Sequence, residues 1–340
     1  MSHQRIVIDE PAGKFNLVSH PDIEPTSAHV RIAVEACGIC HTDTSFVNGY
    51  LPGLQFPLTP GHEIAGKIDA IGDGVDGWQI GDRVAVGWFG GNCGHCRSCR
   101  KGDFVNCANL QIPGLAYSGG YSDSVVAPVT ALARIPDGLT AVEAAPLSCA
   151  GVTVFNALRN GPARAGDLVA VLGLGGLGHL AVQFAAKMGF DTAVIARGTQ
   201  KEASAIEFGA RHYIDATTAD VAAELQRLGG ASAVIGTAAS SMAMSATFEG
   251  LAARGELTVV GVETDPLTIN PLQYINGSRS THGVPAGTAQ DVEDALKFAQ
   301  ITGVRAVIEP MPLEQAQEGY DRMVRNEARF RVVLTPGKSS

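Results

Sequence analysis

Leu168-Val-Ala-Val-Leu172 runs directly into Gly173-Leu-Gly175-Gly176-Leu177-Gly178, and this stretch decides the fold. Five consecutive apolar residues predict a strand buried on both faces, and the glycines after it predict a tight turn into a helix over Leu177 to Met188. In a G-x-G-x-x-G turn the first glycine bends the chain and the second lets backbone approach a pyrophosphate. The third lets helix and strand pack closely. The helix N-terminus then offers free N–H groups and a partial positive charge to the phosphates. Alone, the motif also fits a plain Gly-rich turn. Between a buried strand and a helix, it predicts a dinucleotide site built from Gly173, Gly175, Gly176, Leu177 and Gly178.

On the C-terminal side, apolar strands alternate with helical segments. The pattern predicts strands at Thr192–Ile195, Ala233–Ile235 and Leu257–Val260, with helices across Gln200–Phe208 and Met242–Ala253. A helix at Asp291–Gln300 and a last strand at Phe330–Leu334 follow. This alternation is that of a doubly wound parallel sheet. On the N-terminal side, from Arg5 to about Pro136, short strands are punctuated by Gly and Pro: Val30–Val34, Ile64–Ile68, Arg83–Val86 and Ser124–Ala127. The chain of 340 residues therefore reads as α/β, with a β-rich domain followed by a Rossmann domain.

The strand after the fingerprint ends Val194-Ile-Ala196-Arg197-Gly198, without the Asp or Glu that would bind both ribose hydroxyls and repel a 2′-phosphate. Ala196 leaves room, Arg197 offers a planar cation to phosphate, and Lys201 adds a ribose contact, so NADP is favoured over NAD. The competing reading is an NAD protein in which Arg197 covers the adenine face.

Cys93-Gly-His-Cys96-Arg-Ser-Cys99, closed by Cys107, crowds four of the seven cysteines into a short lobe. Overlapping C-x-x-C steps suit a tetrahedral, closed Zn²⁺ site, and disulfides or a redox pair are the alternatives. The other three, Cys37, Cys40 and Cys149, lie apart. Cys40, His62 and Cys149 can supply a Cys₂His set with one open coordination position, although spacing does not show that they meet. Taken singly, His62 reads as a satisfied core histidine and Cys149 as a small buried hydrophobe.

Composition bounds the partners. A net charge of −9 argues against nucleic acid and anionic membrane surfaces, and 45% hydrophobic with 17% charged residues is ordinary for a globular protein. No unbroken apolar run reaches the ~18–20 residues of a membrane span. Metal-like cysteine spacing and the lack of an apolar leader point to the cytoplasm.

The chain resembles the zinc-containing alcohol dehydrogenases of the medium-chain dehydrogenase/reductase family over nearly its full length. The residues that carry the likeness are Gly38-Ile-Cys-His-Thr-Asp43, Pro60-Gly-His-Glu-Ile-Ala-Gly66, Gly81-Asp-Arg-Val84, the cysteine lobe, Leu147-Ser-Cys-Ala-Gly151 and Gly173 to His179. The resemblance implies a GroES-like catalytic domain over 1–149 with a structural-zinc lobe. It implies a Rossmann domain over 150–284 and a return to the catalytic domain over 285–340. It implies two zincs per chain: Cys93, Cys96, Cys99 and Cys107 holding one, and Cys40, His62 and Cys149, with Glu63 able to approach, holding a catalytic one in a cleft between the domains. Asp43 would orient His62, and Thr42 would take the alcohol proton. His41, Thr153 and Val262 would contact the cofactor. Where many members end a proton relay in His, this chain has Ser45, and where many have Gly-x-Arg it has Gly287-Thr-Ala289. Phe46, Tyr50, Leu54, Trp88 and Phe89 fall near the family's substrate channel. An apolar channel favours primary aliphatic or aromatic alcohols and aldehydes, and the resemblance implies a homotetramer or dimer. The alternatives are a polyol dehydrogenase, which Cys149 opposes, and a non-catalytic zinc- or nucleotide-binding relative.

Overall fold

The computed structural model describes residues 2–262 and 264–337. The chain forms two compact units, one of residues 1–152, 286–301 and 305–340, the other of 153–285 and 302–304.

The second unit is built on a six-stranded parallel sheet ordered His212–Asp215, Asp191–Ala196, Leu168–Leu172, Ala231–Gly236, Leu251–Val259, Ser280–Gly283. In chain order this is 3-2-1-4-5-6, the arrangement of dinucleotide-binding sheets, which reverses direction beside the first strand. That strand, Leu168–Leu172, is buried at every position, as its unbroken apolar run requires. Leu168, Leu172, Ile195, Val234, Phe248 and Leu257 share one core cluster. The helix expected across Met242–Ala253 is shorter, spanning Ser241–Ala246. A 3₁₀ turn at Phe248–Gly250 then leads into the strand at Leu251. Pairing of Ala231 with Leu251 and full burial of Phe248 and Leu251 outweigh the helical propensity of that segment.

The first unit carries a seven-stranded sheet ordered Ile308–Pro312, Arg331–Thr335, His29–Gly38, Ile64–Ile71, Arg83–Val86, Ala133–Arg134, with Ser124–Pro128 also paired to His29–Gly38. Ser2–Val7 and Asn16–Pro21 form a separate antiparallel pair. The C-terminal strand begins at Arg331, one residue later than the pattern suggests, and lies against the N-terminal half with Leu334 opposite Cys37. Residues from the two ends of the sequence thereby come side by side.

A continuous helix, Ala141–Arg159, is long and apolar enough to cross a membrane, but 83% of that span is buried in protein, so it is a core helix. It opens with a capping box between Thr140 and Glu143 and contains a π turn at Leu147–Gly151. Such turns widen a helix locally and often sit at functional positions. Cys149 lies in this one.

Candidate active site and metal centres

The end of strand His29–Gly38 delivers Cys40, the segment before strand Ile64–Ile71 delivers His62 and Glu63, and the π turn delivers Cys149. One ligand atom from each of these four residues lies within 4.8 Å of the others, and all four residues are buried. His62 is held from behind. Its Nδ1 lies 3.1 Å from Asp43 Oδ1, an ion-pair contact outside normal hydrogen-bond geometry, and its Nε2 is buried and likewise makes no hydrogen bond of normal geometry among the described residues. Asp43, itself fully buried, also accepts from the Cys40 backbone N–H at 2.9 Å and from the Tyr121 hydroxyl at 2.8 Å.

The electrostatics match a site that exchanges protons for a cation. A hydrogen bond from Cys149 holds the Cys40 thiol well below its ordinary pKa, and the same bond with burial pushes Cys149 well above. Burial disfavours a charged His62, but the Asp43 carboxylate and Cys40 together outweigh it and raise the ring's pKa. Metal binding requires two thiolates and a neutral imidazole, so it would release these shared protons. The donor set fits zinc: two sulfurs, a buried ring nitrogen with no hydrogen bond of normal geometry among the described residues, and a carboxylate behind the ring on the other side.

Arg331 is the residue sequence reasoning missed. Its guanidinium contacts both Glu63 oxygens across 268 residues of chain, in a pair with 4% and 0% side-chain exposure. Burial raises the Glu63 pKa to about 7, against the pull of Arg331. Gly38 makes the room, since a Cβ there would lie 2.0 Å from Glu63 Oε2. The Phe46 ring stacks on His62 with centroids 5.9 Å apart, and Trp88 meets it edge-on at 5.3 Å. Of the other expected channel residues, Phe89 is buried, Leu54 packs with Ile8, Val47 and Leu58, and Tyr50 is 74% exposed. Thr42 precedes helix Asp43–Val47 without capping it through its side chain, and His41 is exposed. Ser45 lies inside that helix.

In the lobe, ligand atoms of Cys93, Cys96, Cys99 and Cys107 also lie within 4.8 Å of one another, and none is in a disulfide. Backbone N–H groups reach the sulfurs: Cys99 N to Cys96 at 3.5 Å, Cys93 N to Cys107 at 3.4 Å and Asn109 N to Cys107 at 3.3 Å. Hydrogen bonds led by Asn109 lower the Cys93 pKa to about 5. As thiolates the four would fill a tetrahedral site by themselves, with no His, Asp or Glu joining the group among the described residues.

The second unit holds the other expected cofactor residues. Gly173 has φ +97°, and a Cβ on Gly178 would lie 1.9 Å from the Gly173 carbonyl oxygen, whereas one on Gly175 would have no neighbour within 4 Å. The turn, the open backbone and the close packing thus fall on the three glycines the motif assigns to them. Gly176 and Leu177 complete the turn into helix Gly178–Lys187. Lys201 Nζ donates to Leu174 O at 2.9 Å, Arg197 is exposed, Thr153 is buried, and Val262 is 62% exposed beyond strand Leu251–Val259. Asp215, opposite Ala196 on the neighbouring strand, accepts from Gly198 N at 2.7 Å and so fixes the loop carrying Arg197. The sequence gives no sign of this role, because the contact depends on which strands are neighbours. Thr288, in the segment that lacks the family's Arg, accepts from Asp291 N and donates to its carboxylate, capping the helix Ala289–Thr302.

Residues 26–137 match the family described as alcohol dehydrogenase GroES-like domain, and residues 176–301 match zinc-binding dehydrogenase. An alcohol dehydrogenase of an Aspergillus species, notN, is 40% identical over 98% of both chains. A cinnamyl alcohol dehydrogenase of Sorghum bicolor superposes with a TM-score of 0.89 at 30% identity, covering 98% of each chain. The Helicobacter pylori protein CAD, solved with NADP(H), does so with 0.88 at 25% identity and the same coverage. These full-length matches span both units and the segments that supply both cysteine sets. The chain belongs to the zinc-containing alcohol dehydrogenases of the medium-chain dehydrogenase/reductase family and is an oxidoreductase.

Proposed function

We propose that this enzyme transfers a hydride between a primary aliphatic or aromatic alcohol, or the matching aldehyde, and NADP in preference to NAD, with two zincs per chain. The observation that carries the reading is the convergence of Cys40, His62 and Cys149 on one buried point. When bound there, zinc would supply Lewis acidity to the substrate oxygen, and the nicotinamide would carry the hydride. The chain's own residues do the rest. Cys40, His62 Nε2 and Cys149 would hold the metal and leave one position for the alcohol, with Glu63 in reach. Thr42 Oγ1, not used to cap its helix, would take the alcohol proton. Phe46 and Trp88, packed on His62, keep water from the ring and give the substrate an apolar wall. His41, Thr153 and Val262 would contact the cofactor, and Gly173 to Gly178 would receive its pyrophosphate. Arg197, exposed on a loop fixed by Asp215, would meet a 2′-phosphate with Lys201 alongside. The H. pylori protein solved with NADP(H) supports that preference by analogy. We read the enzyme as a cytoplasmic homotetramer or dimer, which gel filtration tests.

Initial rates with NADP and NAD against a panel of alcohols and aldehydes decide the reading. The expected result is a higher kcat/KM with NADP, falling about 10-fold in Arg197→Ala while the rate with NAD hardly moves. A wild-type preference for NAD removes the role given to Arg197. Faster turnover of polyols than of benzylic or aliphatic alcohols removes the apolar wall.

A further inference from the structure

Tyr121 is a fully buried tyrosine that nothing in the reaction requires, yet its hydroxyl ends on the carboxylate behind His62. It donates to Asp43 Oδ2 at 2.8 Å, and the other oxygen, Oδ1, lies 3.1 Å from His62 Nδ1. Asp43 is a carboxylate with no exposed surface, and the donors on Oδ2 are this hydroxyl and the Cys40 N–H at 2.9 Å. A buried carboxylate needs such donors to stay ionised and to keep its plane. Apolar burial of a phenol favours its neutral, donating form.

The backbone around Tyr121 is built to bring the ring there. Gly119 N donates to Thr59 O at 2.9 Å, Tyr121 N to Pro60 O at 3.0 Å and Gly120 N to Gly61 O at 2.8 Å, so three consecutive residues are laced to the three that precede His62. At Gly61, φ is +105° and a Cβ would lie 2.4 Å from the Tyr121 ring. The ring therefore packs against the backbone leading into His62 while its hydroxyl reaches Asp43.

We infer that Tyr121 is a positioning residue for the open metal centre: through Asp43 it fixes the tautomer and the angle at which His62 presents Nε2. The inference rests on the reading of Cys40, His62 and Cys149 as a metal site. A phenylalanine would keep the packing and remove only the donor. Asp43 Oδ2 would then be held by the Cys40 N–H alone, and the carboxylate behind His62 would lose one of the two donors that set its plane. Outer partners of this kind change metal affinity about 10- to 100-fold.

The test uses full-length holoenzyme and Tyr121→Phe, with Tyr117→Phe as a control, since the Tyr117 hydroxyl donates to Gly90 O at 2.9 Å, apart from Asp43. Zinc release is followed against a chelator, and the d–d bands of cobalt placed in the open centre report its geometry. Tyr121→Phe should weaken metal binding at the open centre at least about 10-fold and shift the cobalt bands, with the cysteine lobe and the control unchanged. Unchanged affinity and bands in a wild type holding two zincs overturn the inference alone. A wild type holding only one zinc overturns both it and the reading beneath it. Should Tyr121→Phe not fold, 3-fluorotyrosine at position 121 keeps the donor. Its fluorine resonance should then move when metal is withdrawn from the wild-type site, and a stationary resonance overturns the inference.

Discussion

The two cysteine sets of the first unit resemble each other in size and differ in nearly everything around them. The lobe gathers four thiols from Cys93 to Cys107, close in sequence, and stabilises their sulfurs with backbone N–H groups of the same segment. The open centre gathers its ligands from three distant stretches and surrounds them with ionisable side chains, Asp43, Glu63 and Arg331, all buried. Local sequence suffices to make a closed site. An open one needs the whole sheet, because a missing fourth protein ligand must be balanced by groups that hold the other three in place and keep their charge in check.

Removing one ligand from each site separates them. Cys149→Ala should reduce kcat/KM by at least about 10³-fold, the rate equivalent of several kcal/mol, and lose one zinc per chain while leaving the melting temperature nearly unchanged. Full activity with full zinc content would break the comparison at its root. The next effect down belongs to the buried pair. Arg331→Met strands the Glu63 carboxylate in the core and should cost about 3–5 kcal/mol of folding stability in urea titrations. The double change with Glu63→Gln should recover most of that loss, because the uncompensated charge is then gone. If single and double variants are equally destabilised, the effect is packing and Arg331 is no counter-ion.

What could be read from the sequence follows the same division. Gly173 to Gly178 and Cys93 to Cys107 are contiguous, so spacing and flanking sequence point to a nucleotide turn in one and, with disulfides as the alternative, to a metal lobe in the other. The structure shows the turn's glycines and the four gathered thiols. The strand Leu168–Leu172 was legible to the residue because burial on both faces leaves an unbroken apolar run. Residue types offer Cys40, His62 and Cys149 as a possible set for the open centre, but only likeness to a family joins them, since no spacing rule links positions 40, 62 and 149. Arg331 and Tyr121 were not readable at all. Each reaches its carboxylate because a strand or a laced loop from elsewhere in the chain is placed beside it, 268 residues away for Glu63 and 78 for Asp43. The helix expected across Met242–Ala253 stops at Ala246 for a related reason: the parallel pairing that takes Leu251 into the sheet comes from Ala231, outside the segment.

The smallest effect on catalysis, and the sharpest test of the contrast, lies in the lobe. Cys99 is buried, and its replacement by Ala leaves three thiols that cannot close a tetrahedron. Cys99→Ala should lose one zinc per chain and lower the melting temperature by about 5–10 °C, because metal binding in a closed site contributes directly to folding. No ligand of the open centre comes from this segment, so protein that stays folded should keep kcat within about 3-fold of wild type. Zinc content and kcat would then fall independently in the two variants, one losing turnover and the other stability. A kcat loss in Cys99→Ala approaching that of Cys149→Ala, at unchanged melting temperature, would mean that the lobe acts on the reaction after all.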